Sequence, residues 1–286
     1  MPKATRSSTE KPKLNKAARL AEEQDEKERA RTEGSREDES GSISKRPSKG
    51  KPKAKRPPKP GGVKKPFRKP VVYLFSPESI AACVEVALGP VWSLSHLYPR
   101  PASASTQSVK WKVKTHPDGS LTDLESGVDV AYLFWEADVH EGRPPTTDAY
   151  DPANCVCDAT NSVLVQTAGI ASYLNKVLTS LGLHTEAKTS FITYWIPHFA
   201  EYDNIALRFV PQSDYEKAAA LTVEPAPDVV TRVCMLFTGV SNEDVARWSG
   251  LETRDGDYWR DIVGVDAQRV HDTSLFRALE WGAMEV

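Results

Sequence analysis

Only part of this chain carries the material for a hydrophobic core. Over the first 69 residues the large apolar side chains, besides the initiator Met, are Leu14, Leu20, Ile43, Val63 and Phe67. So little burial does not offset the entropy lost when a backbone is ordered. All seven Trp and all four Cys fall in the remaining 217 residues. The sequence therefore predicts a disordered arm over residues 1–68 and one globular domain over residues 69–286, a length at which a single domain buries a full core.

Charge divides the chain at the same place. The net charge of −2 averages two opposed regions: residues 1–70 hold 22 Lys and Arg against 10 Asp and Glu, and the remainder holds 15 against 29. The arm is thus +12 and the body −14, an asymmetry expected of a tail with partners of its own. Residues 14–31 are rich in Ala, Glu, Lys and Arg without an apolar stripe, which allows only a solvated helix. Residues 45–69 carry twelve Lys or Arg, no acid and many Pro. Proline and like-charge repulsion keep such a segment extended and its cations accessible. Lys45, Arg46, Lys49, Lys51, Lys53, Lys55, Arg56 and Lys59 fit either of two uses. One is a two-part nuclear-import signal read by the import machinery. The other is a phosphate-contacting arm that binds nucleic acid by counterion release. Residues 51–60 lack the Gly-Arg-Pro centre of an AT-hook. A solubilising linker, or a segment that folds back on the acidic body, are the plainer alternatives.

No apolar stretch reaches the ~18 residues that cross a bilayer, and no apolar segment follows the first charges as in a secretory signal. The reading is a soluble protein of the nucleus or cytoplasm, with no membrane partner and with Cys83, Cys155, Cys157 and Cys234 as reduced thiols.

In the body, period-2 patterns dominate the first half. Residues 69–75 (KPVVYLF), 81–88, 92–98 and 109–113 read as strands, the last alternating apolar residues with Lys. His116-Pro117-Asp118-Gly119 is a turn signal. Residues 131–137 (AYLFWEA) read as a strand buried on both faces, and residues 143–152 as a polar loop. The period then changes. Ile170, Tyr173, Leu174, Val177, Leu178 and Leu181 follow helical spacing, with Thr167 as N-cap and Gly182 at C′. Residues 191–197 (FITYWIP), 205–210 and 229–237 read as further strands. Residues 243–248 read as a short helix opened by Ser241 or Asn242, and residues 274–281 close the domain. There is no internal repeat. The expected class is α+β: a largely antiparallel sheet assembly with one or two packed helices.

Few residues suggest chemistry. Cys155 and Cys157 form a Cys-x-Cys pair, but no second pair stands at metal spacing, so neither metal nor cofactor is expected. Cys83 and Cys234 sit in apolar strands as small hydrophobes. Glu136 follows Tyr-Leu-Phe-Trp and is a candidate general acid, with Asp123, Asp138, His140 and Glu141 close in sequence. The structural alternative is a carboxylate that accepts backbone N–H bonds or pairs with Arg208 or Arg232. His198 is the other candidate partner. Trp135, Trp195, Tyr202 and Asn204 are candidates for stacking on and hydrogen bonding a small ligand. The leading reading is a non-enzymatic binding or interaction protein. The alternative is a small-ligand or hydrolase-like enzyme using Glu136 with His140 or His198 in an aromatic-lined cleft.

Residues 69–75, HPDGSL at 116–121, YLFWEA at 132–137, FITYWIP at 191–197 and ALEWG at 278–282 occur in the order found in a family of uncharacterised fungal and bacterial proteins. That family carries KPVIYLYP, PDGxL, YLFWEG and FIxYWLP blocks, and the chain resembles it over nearly the whole body. It departs at Ala137, where the family often has Gly, and in residues 143–158. The resemblance implies the limits of the domain and no activity or catalytic residue.

Overall fold

The computed structural model describes residues 65–140, 150–248 and 254–286. The basic residues from Lys45 to Lys59, the helical stretch at 14–31 and most of the 143–152 loop lie outside them. Among the described residues, twelve strands form two sheets. A seven-stranded sheet has the order β3 (Trp92–Tyr98), β7 (Leu133–Val139), β1 (Lys65–Phe75), β12 (Arg277–Glu285), β11 (Val229–Val240), β9 (Asn204–Val210), β8 (Val163–Gln166). A five-stranded sheet has the order β10 (Ala219–Glu224), β2 (Ala81–Leu88), β4 (Ser108–Thr115), β5 (Leu121–Asp123), β6 (Asp129–Val130). Every pairing is antiparallel except β11 with β12, which needs a long crossover. Among the described residues that crossover carries α4 (Gly256–Val263). The other helices are α1 (Ile170–Ser180), α2 (Thr185–Phe199) and α3 (Gln212–Ala218). The chain is thus α+β, with more helices than the sequence suggested.

The alternation of side chains along each strand sorts the large sheet into two faces. Phe67, Val72, Leu74, Leu133, Trp135, Cys234 and Leu236 pack against Val84, Val86, Val109, Trp111 and Val113 of the small sheet. Val71, Tyr73, Trp281, Met235 and Phe209 point the other way, onto α1, α2 and α4. The body is a three-layer stack: helices, large sheet, small sheet.

Three expectations are corrected. Residues 191–197 are helical, inside α2, not a strand. Ala187, Phe191, Trp195 and Phe199 are all buried and spaced by four, a period that a seven-residue window of aromatic and β-branched residues hides. Pro197 sits in the final turn, where the helix is ending anyway. β7 is not buried on both faces: Leu133, Trp135, Ala137 and Val139 are buried, whereas Phe134, Glu136 and Asp138 are only half-buried. β1 begins at Lys65, four residues inside the predicted arm. Lys69 there has a left-handed φ of 56° where the register shifts, and its ammonium donates to the Tyr132 hydroxyl at 3.1 Å.

The helix predicted at residue 170 forms as expected. Its start differs, because Thr167 lies in a 3₁₀ turn (Thr167–Gly169) and its hydroxyl donates to the Tyr202 carbonyl instead of capping. Its end follows the sequence signal. Gly182 takes φ 84°, its amide donates to the Thr179 carbonyl, and the Leu183 amide donates to the Leu178 carbonyl. This pair of bonds is a Schellman closure. Residues 243–248 give only a 3₁₀ turn (Val245–Trp248).

One ion pair lies between the sheets. Glu280 is fully buried and accepts from Arg232 Nε at 2.6 Å and from Trp135 Nε1 at 2.9 Å. Arg232 also pairs with Glu216 and lies 4.3 Å over the Tyr215 ring. Burial opposes the arginine's charge, and Glu280, with Tyr215 and Glu216 adding to it, more than offsets that effect. Arg232→Met, which strands a buried carboxylate, is expected to cost about 3–5 kcal/mol in urea unfolding. Adding Glu280→Leu should restore part of that loss, and a double variant as unstable as the sum of the singles would contradict the pairing.

Candidate functional site

The residues singled out by sequence do not meet in one place. Trp135 faces the small sheet, whereas Trp195 is buried in the helix layer on the opposite face, edge-on to Phe237 at 5.2 Å. Glu136 accepts from the Lys69 amide at 3.1 Å, which holds the left-handed bulge, and pairs with His96 Nδ1 at 3.3 Å. His96 is 71 % exposed, so this pair lies at the surface. His140 Nε2 instead meets Ser93 Oγ at 2.9 Å, and His198 stacks on Tyr194. Glu136 thus binds a backbone amide, and its ion-pair partner is a histidine and not Arg208 or Arg232. Tyr202 donates to Glu285 Oε1 at 2.5 Å, and Asn204 donates to the Val240 carbonyl and to Asn242. These two back onto Gly239 and Val240, which line a concavity of about 320 Å³ beside Cys157 and Arg247.

None of the four cysteines is in a disulfide, and the described residues hold no cluster of metal-ligating side chains. Burial pushes the Cys157 thiol up to about 11 and the Cys234 thiol higher.

A different set of residues lines a true cleft, and strand register builds it. Phe75 of β1 pairs with Arg277 of β12, which pairs with Val229 of β11. One step in, Tyr73, Leu279 and Thr231 form the next row on the same face. Both rows lie at the end of the sheet where the helix layer stops. The Schellman turn after α1 places Gly182 beside them, and two residues later the chain enters α2 with His184 at its N-cap. Val270 occupies the space where a Cβ on Gly182 would stand, at 2.2 Å. From the other side comes the turn after β4, where the Asp118 carboxylate accepts from the Ser120 amide and hydroxyl.

The cleft has two compartments that share Phe75 and His184. The enclosed one, about 110 Å³, is lined by Val229, Thr231, Val270, His271, Arg277 and Leu279 among others. The open one, about 480 Å³, is lined by Tyr73, Asp118, Ser120, Asp129 and Glu186. His184 stands between them, edge-on to Tyr73 and Phe75 at 5.0 and 5.1 Å. Its Nε2 faces Glu186 Oε2 at 3.3 Å, and its Nδ1 is buried without a partner. The Tyr73 hydroxyl, in a residue 2 % exposed, has no partner at full hydrogen-bond geometry, with the Glu186 carboxylate and the Trp281 indole near it. Burial first, then the nearby Glu186 carboxylate, pushes that phenol well above its ordinary value. The carboxylate–histidine pair that lines a concavity is thus Glu186–His184. Only the Gly182 signal pointed toward it in the sequence; the rest depends on pairings between distant strands.

Burial lowers the His184 pKa below 6.5, Glu186 opposes the shift and Arg277 adds to it. The imidazole should titrate below 6.5 by NMR, rise in Arg277→Gln and fall further in Glu186→Gln. The unfolded chain protonates this residue first, so its contribution to stability is intact above ~6.5 and is lost as pH falls below it. A midpoint at or above the ordinary value would refute the assignment. In labelling at neutral pH, Cys157 and Cys234 should react with a maleimide far more slowly in the folded protein than in urea; equal rates would contradict their burial. Comparison of the chain with models of known protein families, with curated proteins and with solved structures found no match.

Proposed function

We propose that the body is a binding module for a small polar ligand held in the cleft at His184, carried by a basic segment that directs it to the nucleus or to an anionic partner. The observation that carries the first part is the coincidence, in one two-compartment cleft, of buried unpartnered polar atoms on His184, Tyr73 and Arg277. Buried donors and acceptors are normally satisfied, so three such groups around one cavity favour a ligand that satisfies them. Catalysis by Glu136 with His140 or His198 lacks this support, since neither histidine pairs with that carboxylate and Glu136 lines neither compartment.

The second part rests on composition alone: twelve cations and no acid over residues 45–69. No helix among the described residues is long and apolar enough to cross a membrane. The five blocks that resemble the uncharacterised family fall in β1, the turn after β4, β7, α2 and β12.

A mixed set of acids, amines, sugars and nucleosides, added to the full chain with labelled histidine, is expected to move the His184 resonances and spare His140 and His198, which do not line the cleft. If no compound moves His184, the cleft is not a ligand site. Deletion of residues 45–64, which leaves β1 intact, is expected to abolish nuclear accumulation or salt-sensitive nucleic-acid binding. Unchanged location and unchanged binding would sink the role given to the basic segment.

A further inference from the structure

The enclosed compartment holds an unbalanced charge. Arg277 opens β12 with its guanidinium 5.2 Å over the Phe75 ring, and Nη1 donates to the Val270 carbonyl at 2.7 Å. Its Nε is buried with no partner. No described carboxylate comes within ion-pair distance of Arg277. Among the described residues Arg208 and Arg254 also lack an ion pair and bury a nitrogen without a partner, but of the three Arg277 is the one that lines the cleft. A guanidinium stays charged in a protein, so half-burying it without a counter-ion costs free energy that an anion would offset. Burial lowers its pKa, and the more distant Asp272 only partly opposes this.

The size and walls of the compartment narrow the anion. About 110 Å³ bounded by Val229, Val270, Leu279 and Phe75 suits a carboxylate on a short aliphatic chain. A hydrated phosphate, with more oxygens to satisfy, matches these apolar walls less well than a carboxylate does. Polarity then reverses across His184. The open compartment presents three carboxylates, Asp118, Asp129 and Glu186, beside the rings of Tyr73 and Phe75. Carboxylates and ring faces together favour an ammonium group.

We infer that the cleft takes a short zwitterion of the amino-acid type, its carboxylate against Arg277 and its ammonium among Asp118, Asp129 and Glu186. This rests on the reading of the cleft as the ligand site.

The test is an NMR titration of the full chain, read at His184, with 4-aminobutyrate, butyrate, butylamine and butanol. The zwitterion should bind about ten-fold or more tighter than either singly charged probe, and butanol should be weakest. Arg277→Gln should bring 4-aminobutyrate down to the level of butylamine, and Glu186→Gln should bring it down to the level of butyrate. If Arg277→Gln fails to fold, Arg277→Lys, which keeps the charge, should retain part of the carboxylate preference. Equal binding of butanol or butylamine and the two acids would overturn the charge assignment and leave the cleft standing as a ligand site. The charge assignment is likewise overturned if all four probes leave His184 unmoved while a sugar or nucleoside moves it. If no compound of any class moves His184, both readings fall.

Discussion

The hydrogen-bond ladder of β12, antiparallel to β1 on one side and parallel to β11 on the other, is the constraint on which the other features depend. These nine residues near the C-terminus sit in the middle of the large sheet, so strands from both halves of the chain meet there. The ladder fixes register, and register fixes faces: a slip of one residue would exchange every side chain between the helix layer and the small sheet. Trp281 would then leave the helices and Glu280 would leave Arg232. The same register sets the Phe75–Arg277–Val229 row at one end of the sheet, so the cleft is a by-product of the pairing that holds the core.

The two faces are stabilised differently. The helix face is almost wholly apolar, with Phe191, Trp195, Phe199 and Trp259 packed on Val71, Trp281 and Phe237. The sandwich face buries a carboxylate among aromatic residues and satisfies it from two directions, by Arg232 and by the Trp135 indole. Such an arrangement adds little net stability over apolar packing, but it tolerates few alternatives. It ties β7, β11, β12 and α3 to one geometry through directional bonds. One strand in from the β3 edge of the same sheet, Glu136 does a smaller version of this, holding the left-handed Lys69 amide where β1 changes register.

Charge is arranged on two scales. Over the whole chain a basic segment precedes an acidic body, an asymmetry whose field reaches about a Debye length into solution. Within the cleft the opposition recurs, with Arg277 in the enclosed compartment and three carboxylates in the open one. His184, at the junction and kept neutral by burial, does not blur the two.

Local signals of composition, period, cap and turn were enough to place the first described strand within a few residues. They were also enough for the α+β class, most strands of the first half, and the helix over residues 170–180 with its Gly182 closure. The seven-residue FITYWIP window misled because β-branched and aromatic residues fit both periods, and only the burial of Ala187 and Phe191 one turn apart identifies the helix. The candidate residues Trp135 and Trp195 look equivalent in sequence and lie on opposite faces of one sheet. The cleft was illegible for the same reason. Phe75, His184, Val229 and Arg277 are far apart along the chain, and nothing short of the tertiary pairing of β1, β11 and β12 decides that they are neighbours.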